Sequence, residues 1–138
     1  MLLNLHSYFS LRFGTLSLQD LISGMLAGGY DTAVLTDINN SSGSLDFIKM
    51  GREAGLNLLA GMEFRDGDQL CFIAIAKNEQ GFREINEYRT KLNMENRATP
   101  ECAPEFEQVF VIYPFSRINT FQLRDFEYIG IRPSERTR

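Results

Sequence analysis

The chain is predicted to be an α/β protein on two observations. Short apolar runs alternate with amphipathic helical patterns along most of its length, and ligand-type residues stand where several of the apolar runs end. That alternation predicts an α/β barrel or open sheet, in which sites lie beyond the carboxyl ends of the strands.

The elements follow in order. Leu2 to His6 is the first strand. Ser17-Leu18-Gln19-Asp20 resembles a capping box, with Ser17 accepting an amide bond at a helix start. Leu18, Leu21, Ile22, Met25 and Leu26 continue at helical spacing, until Gly28-Gly29 ends the helix where a left-handed residue is wanted. Thr32 to Leu35 is apolar on both faces, as in a buried parallel strand. A second unit repeats the pattern: Leu45, Phe47, Ile48 and Met50 lie on a helix ended near Gly55, and Leu56 to Ala60 is a strand leading into Gly61-Met62-Glu63-Phe64.

Asp66-Gly67-Asp68 is a turn signal, so Leu70 to Ala76 returns as a fourth strand through a hairpin or tight loop. The Asp-x-Asp spacing is also used for magnesium in polymerases, but Asp-Gly between strands is explained by backbone geometry alone. Gln80 to Met94 carries Phe82, Ile85, Tyr88 and Leu92 at three- and four-residue spacing, a third amphipathic helix. Arg97 to Glu107, with Pro100 and Pro104, is linker-like. Gln108 to Tyr113 is a strand, Ser116 to Leu123 is irregular or a short helix, and Phe126 to Ile131 is a last strand with no helix to cover it. This divides the chain into β/α units over 1–96, a linker-like loop over 97–107 and further strands of the same domain over 108–138.

Composition narrows the function classes. With 138 residues, 43% of them hydrophobic and 23% charged, the chain suits one globular domain or part of a larger one. A net charge of −4 provides no basic footprint for holding nucleic acid unaided. No apolar run approaches the roughly 20 residues of a membrane helix, so no membrane association is expected. Cys71 and Cys102 are the only cysteines, and the opening Met-Leu-Leu-Asn-Leu-His lacks the basic start and apolar stretch of a signal peptide. Reduced thiols and a cytoplasmic location are the expectation.

His6, Asp37 and Glu63 each fall at the carboxyl end of a predicted parallel strand, and three such groups on one rim are the minimum for a metal or acid-base site. Each also has a plainer use. A lone His near the N-terminus is often a satisfied surface or core residue, Asp37 suits capping of a helix after Asn39, Glu63 suits pairing with Arg65 or another base, and Asn39-Asn40-Ser41-Ser42 is itself adequate helix-capping chemistry.

Leu5-His6-Ser7-Tyr8-Phe9-Ser10-Leu11, then Gly14, Ala33 to Asn40, Gly55 through Glu63-Phe64, and Ala76-Lys77-Asn78 with Gly81-Phe82 resemble successive motifs of the PHP (polymerase and histidinol phosphatase) domain. The similarity runs in order from Met1 to about Tyr88, and Tyr128 to Arg132 resembles a further strand. It is similar to the version that opens the alpha subunit of bacterial DNA polymerase III. The resemblance implies a partial distorted β/α barrel with a largely parallel sheet, and a rim that in active members holds zinc or manganese. The motifs here depart from the active pattern. His-x-His has become Asn4-Leu5-His6, an acidic residue before Gly14 has become Phe13, and Thr-Asp-His has become Thr36-Asp37-Ile38. Glu63 matches a bridging glutamate, while a histidine position in the next strand aligns with Cys71, read here as a small buried hydrophobe rather than a zinc ligand.

His6, Asp37 and Glu63 are therefore expected to be a vestigial metal site, with no cofactor bound by this segment and no catalytic residue in it. The resemblance implies a parent DNA polymerase using magnesium at aspartates beyond Arg138, with the PHP segment packed on the polymerase core and able to help hold a proofreading exonuclease subunit, and DNA met only through the parent. Two other readings stand beside it: an active metal-dependent phosphoesterase or 3′ to 5′ exonuclease, and a stand-alone binding module. A barrel cut partway round leaves strand edges open, so the isolated chain is expected to self-associate.

Overall fold

The computed structural model describes residues 1–117 and 122–136. Among the described residues six strands, β1 (Leu2–Leu5), β2 (Thr32–Leu35), β3 (Asn57–Asp66), β4 (Gln69–Ala76), β5 (Val109–Pro114) and β6 (Glu127–Gly130), form one sheet in sequential order. Among the described residues three α-helices intervene: α1 (Leu18–Ala27), α2 (Ser44–Glu53) and α3 (Glu79–Met94). β1, β2 and β3 are parallel, β4 is antiparallel to both β3 and β5, and β6 is parallel to β5. Three of the five pairings are thus parallel, in a curled sheet that makes up part of a barrel.

Local chemistry sets the element ends. Ser17 and Asp20 complete the capping box of α1, and Gly29 takes the left-handed conformation just beyond it at φ 70°. Asn78 caps α3 by accepting from the Gly81 amide. The β3–β4 hairpin closes over Gly67 and Asp68, with Gly67 at φ 55° in the first loop position of a two-residue turn. Phe115–Arg117 is a 3-10 turn, and the rest of the Ser116 to Leu123 segment falls largely on 118–121, outside the described residues.

The helices cover one face of the sheet. Leu21, Ile22 and Met25 of α1 and Phe47 of α2 bury against Ala33, Leu35 and Leu58, while Ile85 and Leu92 of α3 pack on Met62, Phe64, Phe72 and Val111. The concave face is also apolar, with Val34, Leu59, Ile73, Ile75, Phe110 and Ile112 gathered on an open trough of about 1050 Å³. The loop over 97–107 has no regular element, yet Thr99 and Ala103 are buried in it, so it packs on the sheet.

β3 is longer than the apolar run Leu56 to Ala60. It continues through Glu63 to Asp66 because β4 folds back on it, so Glu63 lies within a strand, beyond the level of Ala60 at which β1 and β2 end. A bridge between Ile38 and Glu63 carries the parallel pairing past the end of β2.

Candidate metal centre

Strand alternation decides which polar groups meet. Successive side chains in a strand point to opposite faces. Glu63 follows Leu59 and Gly61 on the concave side and is fully buried. Asn4 Nδ2 and His6 Nε2 donate to its Oε2 at 3.1 and 2.9 Å, and Arg65 Nε donates to its Oε1. Arg65 is two residues along the same strand and so shares the Glu63 face. Its Nη1 donates to Asp68 O at 3.1 Å, and its guanidinium stacks over the Phe13 ring at 4.4 Å. Thr36 Oγ1 donates to Asn4 Oδ1, which fixes the Asn4 amide with its nitrogen toward Glu63.

Burial alone raises the Glu63 carboxyl. The hydrogen bonds from His6 and Arg65, the His6 charge and the Asn4 amide outweigh it and hold the group below its ordinary value. An ionised carboxylate only accepts, so His6 presents Nε2–H to it.

Asp37 serves a different cluster. It lies 2% exposed and accepts from the Ser7 amide at 2.7 Å, from Ser7 Oγ at 2.6 Å and from Ser10 Oγ at 2.7 Å. Ser10 Oγ in turn accepts from the Ile38 amide at 2.9 Å. Asp37 thereby ties the loop after β1 to the loop after β2. The same loop needs Gly14, where an added Cβ would stand 1.9 Å from Ser7 O. Neither Asp37 nor the asparagine pair caps α2, whose N-cap is Gly43 with no side-chain bond. Asn39, at φ 53°, instead docks on β3: the Arg65 amide donates to its Oδ1 and its Nδ2 donates to Arg65 O, both at 3.0 Å.

Cys71 is the extra residue of a bulge between the Phe64–Phe72 and Arg65–Leu70 pairs. The bulge places it in the core under α3, with Phe64 and Phe72, rather than with Glu63. Burial raises its thiol above the ordinary value, which disfavours the thiolate that zinc takes.

A zinc or manganese ion needs several anionic or imidazole donors with lone pairs to spare. Both Glu63 oxygens and both Asp37 oxygens are already engaged, and a permanent cation sits on Glu63. Among the described residues no three His, Cys, Asp or Glu side chains are disposed to hold a metal ion. The donor set does not fit a multinuclear centre. Sequence reasoning grouped His6, Asp37 and Glu63 on one rim and offered Arg65 or another base as a partner of Glu63; the structure joins His6 and Arg65 to Glu63 and leaves Asp37 apart on the serines, which that reasoning missed together with the Arg65–Phe13 contact.

Among the described residues no helix is long and apolar enough to cross a membrane. The chain is 35% identical over 83 residues to DNA polymerase III subunit alpha of Ureaplasma parvum, covering 60% of this chain and 8% of that protein. It is 34% identical over 123 residues to the error-prone DNA polymerase of Symbiobacterium thermophilum, covering 85% and 11% respectively. It thus spans about a tenth of the length of these curated relatives. A crystal structure from Bifidobacterium adolescentis, assigned as a metal-dependent phosphoesterase, aligns with a TM-score of 0.56 over 98% of this chain and 79% of its own. At 14% identity that likeness is one of fold. The PHP domain matches residues 3–113, and the chain belongs to the PHP domain family.

Proposed function

We propose that this chain is the PHP segment of a replicative DNA polymerase of the alpha-subunit type, serving as a scaffold without phosphoesterase activity of its own. The observation that carries this reading is the state of Glu63, whose two oxygens are held by Asn4, His6 and Arg65. Hydrolysis of a phosphoester by a metal site requires an ion that activates water and neutralises the phosphate. A carboxylate neutralised by protein cations offers such an ion little charge to bind. The similarity to two kinds of bacterial DNA polymerase supports the parent assignment.

In that setting the segment packs against the polymerase core of its own chain and contributes to holding a proofreading exonuclease subunit. DNA is handled by the parent, with magnesium at the parent's own catalytic aspartates, in the cytoplasm. Phosphatase and 3′ to 5′ exonuclease assays of the purified chain, with zinc and with manganese supplied, test the reading. Background rates unchanged by Glu63→Ala are expected; hydrolysis abolished by that substitution would overturn it.

A further inference from the structure

We infer that Arg65 is the resident cation of the Glu63 pocket, and that its guanidinium excludes divalent metal from His6 and Glu63. The inference rests on the scaffold reading above and adds a physical cause to it. Loss of ligands explains weak metal binding; an internal cation explains why the remaining buried carboxylate is nonetheless stable.

The guanidinium is held on three sides. Glu63 Oε1 takes its Nε, Asp68 O takes its Nη1 at 3.1 Å, and the Phe13 ring lies 4.4 Å below its centre. Its main chain is fixed as well, by the two 3.0 Å bonds to the left-handed Asn39. Two positions where the motifs depart from the active pattern thus have a positive use: Asn4 donates to Glu63, and Phe13 gives the arginine an aromatic face. The side chain of Arg65 is 13% exposed, so water screens it little. A divalent ion at the same carboxylate would meet a like charge within a few ångströms and would have to displace a charge-assisted hydrogen bond.

The inference makes Arg65 and metal mutually exclusive, which thermal unfolding of the full chain reads directly. Wild type, Arg65→Ala, Arg65→Lys and the Glu63→Gln/Arg65→Ala double variant are melted in EDTA and then in excess Mn2+. Wild type and Arg65→Lys are expected to melt at the same temperature in both. Arg65→Ala is expected to melt lower in EDTA and to recover with Mn2+, because an ion that binds only the folded chain raises its midpoint. The double variant should lose that recovery. A purely structural role for Arg65 would lower the midpoint without creating a metal response. A folded Arg65→Ala chain indifferent to Mn2+ would overturn the inference and leave the scaffold reading standing. A wild-type midpoint raised by Mn2+ as far as that of Arg65→Ala would also overturn it, and accompanying Glu63-dependent hydrolysis would overturn the scaffold reading too. Arg65→Gln, which keeps a donor for Glu63, supplies the comparison if the alanine variant does not fold.

Discussion

Glu63 and Asp37 are both buried carboxylates, and each is satisfied by a different set of donors. Glu63 has a guanidinium and an imidazole; Asp37 has hydroxyls and an amide. Removing the acceptor of a buried cluster strands its donors, so Asp37→Ala should cost about 3 kcal/mol, read as a lower urea midpoint. A cost near zero would mean that Ser7 and Ser10 find other partners. Gly14→Ala should also destabilise, because its methyl would meet backbone and not a movable side chain. At this scale the sequence was half legible. Arg65 stands two residues from Glu63, and strand period alone places them on one face. Asp37, expected on the same rim, lies beyond the end of β2 and is taken instead by Ser7 and Ser10. The serines that hold Asp37 come from a loop about thirty residues away, and no local pattern announces them.

Elements were readable where their signals are local. The capping box of α1 and the Gly67 hairpin follow from residues within a few positions of one another, whereas the Asn78 cap of α3 was not singled out. Ser17→Ala should cost about 1 kcal/mol by denaturant unfolding, in the range usual for an N-cap. The full length of β3 was not readable, because Gly61 to Asp66 becomes strand only when β4 lies beside it. The bulge at Cys71 is likewise a product of pairing. β6 is anchored through Glu127, which accepts from Arg124 Nη2 at 2.6 Å and from Tyr113 Oη at 3.2 Å. Burial raises the Glu127 carboxyl, but the Arg124 bonds and charge prevail and lower it below its ordinary 4.5. A lowered carboxylate contributes stability above its unfolded value that is lost as pH falls through the folded value. Stability of the wild type should therefore decline on acidification below about 4.5, and Glu127→Gln should flatten that decline while lowering stability at neutral pH. Parallel slopes for the two proteins in urea titrations would contradict this.

The whole molecule is a sheet with helices on one face and an open apolar trough on the other. Among the described residues β1 and β6 each have one unpaired edge, and Met1, Leu3, Tyr128 and Ile131 are exposed beside the trough. Open edges and an uncovered apolar face favour association of copies. Light scattering of the isolated chain should show species larger than a monomer at micromolar concentration; a monodisperse monomer would contradict that. The proposed scaffold role requires that the rim around Glu63 be closed by the protein's own charges. Elemental analysis of the purified chain, after incubation with zinc and manganese and removal of free ion, tests it most directly. Metal well below one ion per chain is predicted, and one or more tightly held ions per chain, lost in Glu63→Ala, would contradict it.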